Sequence, residues 1–214
     1  MIIDCVSDLH GFYPVLEGGD LLIVAGDLTA TDTPAEYVKF YSWLHKQPYR
    51  HYIFIAGNHD GLIEAGEALT DCLANTTYLC DSGTEFEGLK IWGSPYTPTF
   101  SNWHFMEERG EAIKKHWDLI PDDIDILITH GPPQGILDEV FSYCDFENVG
   151  CDDLLEAVGR VKPKLHVFGH IHEGYGMYRP NLGFVDCPGY PIFVNASHVN
   201  EHYEPVNKPI RVIL

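Results

Sequence analysis

The stretch that decides the predicted fold is Leu21-Leu22-Ile23-Val24-Ala25-Gly26-Asp27. Five apolar residues in a row, ended by a glycine, are typical of a buried strand in a parallel sheet. Such a strand places its last residue at the carboxyl edge of the sheet, where α/β folds bind their ligands. An isolated buried carboxylate is costly unless it is paired or bound to a metal. Considered alone, Asp27 would more readily be interpreted as a cap of the following loop or helix.

Polar side chains that can bind metal follow four further predicted strands, at residues 1–6, 51–56, 124–129 and 164–168. They are Asp8 with His10, Asn58 with His59, His130, and His170 with His172. Each of these pieces is weak evidence by itself, because isolated histidines and turn asparagines are common. Together with Asp27, carboxylate and imidazole ligands in one sheet suit manganese, iron, zinc or nickel. The number of candidates exceeds what one tetrahedral ion needs, so the pattern predicts two ions that share Asp27.

The rest of the chain alternates strand-like and helix-like segments. Thr33-Pro34-Ala35-Glu36 predicts a capped helix start, followed by an aromatic stripe at helical spacing that Pro48 ends. Further helices are predicted at 107–117 and 152–160, with a short helical segment at 61–69. Small strands are predicted between 79 and 93. Runs at 175–178, 184–187, 191–195 and 210–214 predict a second, more antiparallel sheet.

Composition limits the classes of function. The 214 residues fit one large α/β domain spanning 1–214. A net charge of -19 disfavours binding to nucleic acid polymers and to anionic membranes. None of the six cysteines forms a C-x-x-C pair, so a cysteine zinc site is not indicated. With no visible signal peptide or membrane span, reduced thiols and a cytoplasmic location are expected.

The polar motifs together resemble those of the calcineurin-like metallophosphoesterases. They are Asp8-Leu9-His10, Gly26-Asp27, Gly57-Asn58-His59-Asp60, Thr129-His130 and Gly169-His170-Ile171-His172. The stretches 131–133, 194–197 and 205–209 are similar to the metallophosphoesterase-domain-containing branch, which is close to class III cyclic-nucleotide phosphodiesterases. Some members of that branch carry glycine in place of the first histidine of the last motif. This chain keeps His170, so a complete second metal site is expected.

The resemblance implies an α/β fold, a four-layer αββα sandwich of two mixed β-sheets flanked by helices. It implies that the first metal is held by Asp8, His10, Asp27 and His172. The second metal would be held by Asp27, Asn58, His130 and His170. Two divalent ions are expected, with manganese favoured and iron, zinc or nickel as alternatives.

The expected reaction is hydrolysis of a phosphate ester by a hydroxide that bridges the two metals. His59 is not assigned to a metal, so it is expected to protonate the leaving group. Asp60 would either orient the His59 ring or cap the following helix. A small phosphodiester, with a cyclic nucleotide as one candidate, is the leading substrate.

Two other functions stay open from the sequence. A broad phosphomonoesterase is the alternative enzyme, and a metal-binding scaffold without catalysis is the alternative from another class. The loop at 94–105 carries Tyr96, Phe100 and Trp103. These aromatics would either wall a substrate pocket or pack as ordinary loop residues. The oligomeric state is not indicated by the sequence.

Overall fold

The computed structural model describes residues 1–68, 70, 74–142, 144–180 and 191–214. The strands are β1 (Ile2–Val6), β2 (Gly19–Ala25), β3 (Tyr49–Ile55), β4 (Thr76–Tyr78), β5 (Ser82–Phe86), β6 (Leu89–Ser94), β7 (Thr97–Pro98), β8 (Met106–Glu107), β9 (Ile126–Thr129), β10 (Glu139–Ser142), β11 (Asp145–Asn148), β12 (Leu165–Phe168), β13 (Gly176–Tyr178), β14 (Ile192–Asn195) and β15 (Ile210–Ile213). The helices are α1 (Pro34–Leu44), α2 (Gly61–Glu64), α3 (Glu111–Asp118) and α4 (Asp152–Val161), and a 3₁₀ turn spans His172–Gly174. The strand predicted at 184–187 lies outside the described residues.

Two mixed sheets form the centre of the fold. The first sheet has the order β15-β1-β2-β3-β4, with β15 antiparallel to its neighbour and the other strands parallel. The second sheet has the order β13-β14-β12-β9-β6-β5, and its two outermost strands, β13 and β5, are antiparallel to their neighbours. Because the inner strands of both sheets are parallel, each sheet gathers their carboxyl ends at one edge. Two short pairs, β7 with β8 and β10 with β11, complete the described strands.

Three apolar clusters hold four layers together. Between the sheets, inward side chains such as Ile23, Ile53 and Ile126 are fully buried. Helix α1 covers the outer face of the first sheet with its aromatic stripe, which includes Phe40. Helices α3 and α4 cover the second sheet through Trp117 and neighbouring apolar residues. The order helix, sheet, sheet, helix confirms the predicted αββα sandwich.

The start and the end of α1 agree with the prediction from neighbouring residues. Helix α1 begins at Pro34, and the Glu36 carboxylate accepts a hydrogen bond from the Thr33 backbone nitrogen at 3.1 Å, completing the capping box. The helix ends at Leu44, four residues before Pro48. Within the described residues, no helix has the length and hydropathy needed to cross a bilayer.

Three predicted elements were wrong. The strands of the tail do not form a separate sheet. In the second sheet β14 pairs with β12 and β13 pairs with β14, and in the first sheet β15 pairs with β1. Helix α3 starts at Glu111 rather than at residue 107, because Met106–Glu107 pairs with Thr97–Pro98 as β8. The helix predicted at 61–69 is limited to Gly61–Glu64 among the described residues.

Candidate metal centre

The seven predicted ligands follow the carboxyl ends of parallel strands in two sheets, rather than in the one sheet expected from the sequence. We call Asp8, His10, Asp27 and His172 the first ligand set, and Asp27, Asn58, His130 and His170 the second ligand set. The loops that carry them are joined by backbone hydrogen bonds between neighbouring segments. Gly169 N donates to His130 O at 2.8 Å, and Asp8 N donates to Gly26 O at 3.0 Å. These bonds fix the loops against one another at a single edge of the sandwich.

The first ligand set converges on one point. Ligand atoms of Asp8, His10 and His172 lie within 4.8 Å of one another. His172 Nε2 is 3.4 Å from Asp8 Oδ1, and His10 Nε2 is 3.5 Å from Asp27 Oδ2. Both ring nitrogens of His10 are buried and have no hydrogen-bond partner among the described residues. A buried imidazole without partners is costly, and a divalent cation bound here would satisfy it.

The second ligand set meets at His130 Nε2. Asn58 Oδ1 lies 2.9 Å from this nitrogen and Asp27 Oδ1 lies 3.3 Å from it. The other ring nitrogen, Nδ1, lies 2.9 Å from Ala25 O, a backbone partner of the kind that metal-binding histidines commonly have. Two oxygen acceptors and an imidazole nitrogen facing one another fit a bound cation.

His170 stands apart from the rest of the second ligand set. Its ring centroid is 5.0 Å from that of His130 and 5.3 Å from that of Phe100. Its ring nitrogens are not part of the three close clusters formed by the described acidic, histidine and cysteine side chains. Its backbone nitrogen instead contacts both carboxylate oxygens of Asp8, at 3.0 and 3.1 Å. The structure thus brings six of the seven predicted ligands into close groups and leaves His170 at their margin.

The electrostatics of the two sets favour a positive charge. Burial alone would raise the pKa of Asp8 and of Asp27, but the neighbouring histidines outweigh burial and hold both pKa values well below the usual range. Burial lowers the pKa of His10 to about 4 and that of His170 to about 3. Burial also opposes the charged form of His130, yet Asp27 raises the pKa of His130 to about 9. Asp8, Asp27, His10 and His170 are therefore in the charge states that bind metals, whereas His130 would have to lose a proton when a cation binds.

The backbone at the site is strained. Four ligand residues have left-handed conformations: Asp8, His10, Asp27 and His170, with φ of 51°, 41°, 51° and 68°. Such conformations cost a non-glycine residue on the order of 1–3 kcal/mol each. Two motif positions require glycine because the backbone approaches a ligand closely. A Cβ on Gly57 would overlap a carboxylate oxygen of Asp27, and a Cβ on Gly169 would overlap Asp8.

His59 lies beside both ligand sets. Its backbone nitrogen donates to Asp27 Oδ1 at 2.8 Å, and its ring Nδ1 lies 3.2 Å from Ala30 O. The ring stacks on Trp103, with centroids 4.4 Å apart and an angle of 28°. A ring nitrogen of His59 also lies within 4.8 Å of ligand atoms of His10 and Asp27. The geometry therefore places His59 within reach of the proposed metal ligands.

Asp60 stands at the N-cap position of α2, one of the two roles considered from the sequence, but its carboxylate makes its hydrogen bonds elsewhere. Its carboxylate accepts hydrogen bonds from the backbone nitrogens of Gly57 at 2.9 Å, Leu28 at 3.1 Å and Thr29 at 3.2 Å. The described His59 ring has Ala30 O as its partner instead, and the Asp60 side chain makes no capping hydrogen bond in α2. Burial, aided by Asp27, raises the pKa of Asp60 to about 7. The side chain ties the loop after β2 to the loop after β3.

A cleft of about 490 Å³ opens beside the ligand sets and is lined by members of both. Phe100 and Trp103 line this cleft, whereas Tyr96 packs elsewhere, stacked on His116 with ring centroids 3.6 Å apart. The loop at 94–105 thus contributes two of its three noted aromatics to the cleft wall. Arg109 also lines the cleft, and its guanidinium donates to the carbonyls of residues 149 and 150 at 2.8 and 2.7 Å.

Two site residues come from the tail and were not predicted. Ser197 Oγ lies 2.8 Å from Asp8 Oδ2, so its hydroxyl is placed to orient a carboxylate of the first ligand set. Tyr203 lines the cleft. The only signal for Ser197 was that residues 194–197 resemble the family, and nothing in the sequence indicated Tyr203.

Residues 1–174 match the family described as Calcineurin-like phosphoesterase. The chain belongs to the calcineurin-like phosphoesterases. It is 42% identical over 237 residues to Metallophosphoesterase domain-containing protein 1 of Homo sapiens, covering 98% of this chain and 70% of that protein. It is 36% identical over 228 residues to a UPF0046 protein of Caenorhabditis elegans, covering 96% of this chain and 78% of the relative.

Comparison with solved structures supports the same fold. TT1561 of Thermus thermophilus superposes with a TM-score of 0.58 at 17% identity, covering 91% of this chain and 88% of that chain. Family membership assigns the chain to the phosphoesterase hydrolases, a class that acts on phosphate esters with two divalent metals. The close clusters of metal-binding side chains agree with that assignment.

Proposed function

We propose that this protein hydrolyses small phosphodiesters, cyclic nucleotides among them, with two divalent cations held by the first and second ligand sets. The observation that carries the proposal is the convergence of both sets on one cleft of about 490 Å³. A cleft of this size accommodates a small molecule rather than a polymer. Manganese is the favoured ion, with iron, zinc or nickel as alternatives, because the ligands are carboxylates, an amide and imidazoles. In this proposal, residues 1–214 form one phosphoesterase domain.

The preference for a diester is supported by charge. A diester carries less negative charge than a monoester, and the chain has a net charge of -19. Arg109 is the only lysine or arginine among the described residues that line the cleft. Its guanidinium is already engaged by two backbone carbonyls and lies 3.9 Å from Asp152. Outside the metals, the described cleft therefore offers little to balance a second negative charge.

When bound, the two cations would neutralise phosphoryl charge and supply a water of lowered pKa. Asp8 and Asp27 are suited to hold them because both carboxylates stay ionised at neutral pH. Asn58 adds an uncharged oxygen, held 2.9 Å from His130 Nε2. A cytoplasmic location remains part of the proposal, and the four cysteines that the structure describes are free thiols.

His59 is assigned the transfer of a proton to the leaving oxygen. Ala30 O and the Trp103 ring fix its orientation, and the residue lines the cleft. A ribose alkoxide needs a proton in the transition state, whereas a nitrophenolate is a stable anion. General acid catalysis contributes roughly 10²–10⁴-fold, so His59→Ala should slow a cyclic nucleotide by such a factor and a nitrophenyl diester much less.

The metal content of His59→Ala should equal that of the wild type. Equal slowing of both substrates with metals retained would assign His59 to phosphate positioning instead. Loss of a metal would make His59 a ligand, which its distance from His10 and Asp27 allows.

The experiment that tests the function is a hydrolysis screen of matched esters. Bis(p-nitrophenyl) phosphate and p-nitrophenyl phosphate share a leaving group and differ in ester number, and cyclic and linear nucleotides extend the pair. Each is assayed with manganese, iron, zinc and nickel, and after chelation. The proposal expects higher kcat/KM for diesters and no activity after chelation. Preference for monoesters would favour the phosphomonoesterase alternative, and metal binding without turnover would favour the scaffold.

A further inference from the structure

Tyr203 lies over the histidines of the first ligand set at the wall of the cleft. Its ring centroid is 4.9 Å from that of His10 and 5.2 Å from that of His172, with interplanar angles of 72° and 87°. The His59 ring is also near, with centroids 6.3 Å apart. About half of Tyr203 is nevertheless exposed, at 49%. The ring is therefore held against the site while part of it faces solvent.

A turn built by Asn200 holds Tyr203 in this place. Asn200 Oδ1 accepts hydrogen bonds from the backbone nitrogens of His202 at 3.0 Å and Glu204 at 2.9 Å. The Asn200 carbonyl accepts from Tyr203 N at 2.9 Å and also lies 3.1 Å from His172 Nδ1. Tyr203 has a left-handed φ of 60° in this turn. One residue, Asn200, thus couples the position of Tyr203 to that of a ligand in the first ligand set.

The hydroxyl of Tyr203 makes no hydrogen bond within the part of the chain that the structure describes. Other tyrosines differ: Tyr175 donates to Lys208 O at 2.8 Å, and Tyr37 donates to Asp32 Oδ1 at 2.7 Å. A phenol is protonated at neutral pH and can donate to an anion. Because the turn already restrains the ring, a bound ligand would order it at little further cost in entropy.

We propose that Tyr203 is a substrate-contacting residue, whose hydroxyl donates a hydrogen bond to a non-bridging phosphoryl oxygen of a phosphate ester bound beside the first ligand set. The inference rests on the proposed function for its substrate class. Inorganic phosphate presents the same kind of oxygen and binds without turnover, so the contact can be measured separately from hydrolysis.

The test compares Tyr203→Phe with Tyr178→Phe. Tyr178 is a matched control because it is 45% exposed, makes no hydroxyl hydrogen bond among the described residues and does not line the cleft. For the manganese-loaded full chain, calorimetry gives the Kd of inorganic phosphate, and bis(p-nitrophenyl) phosphate gives KM and kcat. Manganese content and Tm are measured for each variant.

Tyr203→Phe should weaken phosphate binding and raise KM by roughly tenfold, the usual effect of losing a hydrogen bond to a charged group. Because this contact acts on bound substrate and transition state alike, kcat should change much less. Manganese content should stay at the wild-type level. Tyr178→Phe should leave all of these quantities unchanged.

The outcomes separate the two proposals. If Tyr203→Phe binds phosphate as Tyr178→Phe does, the inference is overturned while diester hydrolysis stands on its own assay. If the wild type binds phosphate but cleaves no diester, the proposed function fails and the phosphate Kd still decides the role of Tyr203. Loss of manganese in Tyr203→Phe, or no phosphate binding by the wild type, would overturn the inference.

Discussion

The two ligand sets differ in how far the protein alone satisfies their polar atoms. In the first, both ring nitrogens of His10 are buried without a partner among the described residues. In the second, His130 has Ala25 O on one ring nitrogen and Asn58 Oδ1 on the other, both at 2.9 Å. An unsatisfied buried group gains more from a bound cation than a satisfied one. We therefore expect the first set to bind its metal more tightly, and the predictions below test or refine that difference.

The largest effect is expected for Asp27→Ala, because Asp27 contacts both sets. Its two oxygens lie 3.5 Å from His10 Nε2 and 3.3 Å from His130 Nε2. Removing even an outer partner of a metal ligand commonly costs roughly 10–100-fold, so losing a shared ligand should reduce activity by more than about 10²-fold. Metal analysis should find neither ion retained. Two tightly held ions in this variant would show that Asp27 does not belong to both sets.

His10→Ala should cost less, because it removes a ligand from the first set only. The tighter of two manganese-binding steps should disappear in a calorimetric titration, and the weaker step should remain. The measurement also ranks the two sets, since the identity of the lost step shows which set binds more tightly. Loss of the weaker step instead would reverse the comparison.

His170→Gly should be milder still, because the His170 ring lies at the margin of the second set. Second-site affinity should fall by less than about 10-fold, with the first site intact. His170→Ala is the matched variant, because alanine removes the same ring but keeps the penalty of a left-handed φ of 68°. The glycine variant should be more stable than the alanine variant by about 1 kcal/mol in urea unfolding. Equal loss of both metals would show that the role of His170 is not confined to the second set.

The smallest effect concerns His166, behind the second set on β12. It is fully buried, and its Nε2 lies 2.8 Å from Thr129 Oγ1. Burial lowers the pKa of His166 to about 3. His166 is protonated near pH 6.5 in the unfolded chain but only near pH 3 in the folded chain. Above pH 6.5 His166 therefore has no effect on the pH dependence of stability. As the pH falls from 6.5 towards 3, the unfolding free energy decreases because only the unfolded chain binds this proton.

The variant His166→Gln should flatten this dependence. Between about pH 5.5 and 4, the slope of unfolding free energy against pH should decrease by about 1.4 kcal/mol per pH unit, the value for one proton. Urea midpoints across this range measure the slope, and His45→Gln, at an exposed histidine, is the control. An unchanged slope would mean that His166 is protonated in the folded chain.

The sequence predicted the ligand-bearing edge better than it predicted the tail. Each ligand motif directly follows a short apolar run, so the strand end that carries the motif can be located from adjacent residues in the sequence. The pairing of β15 with β1 joins Ile3 to Val212, a contact between distant segments that strand propensity does not encode. The split of the tail between two sheets was missed for the same reason.

Side-chain roles were predictable where the residue type limits the chemistry. Histidines and carboxylates at strand ends indicate metal, and the structure groups most of them closely. The position of Asp60 just before α2 could be predicted, but its side-chain partners at Gly57 and Leu28 could not, since they depend on how two loops meet. Tyr203 gave no signal, because its left-handed turn depends on hydrogen bonds made by Asn200.

The left-handed backbone at His170 has a consequence for how such a chain can diverge. Glycine adopts a φ of 68° without steric cost, whereas histidine at position 170 carries a conformational penalty. If selection for the second cation were relaxed, drift towards glycine would be favoured by stability at the same step that weakens the metal site. A chain with glycine at this position would keep the fold while holding its second cation with one ligand fewer.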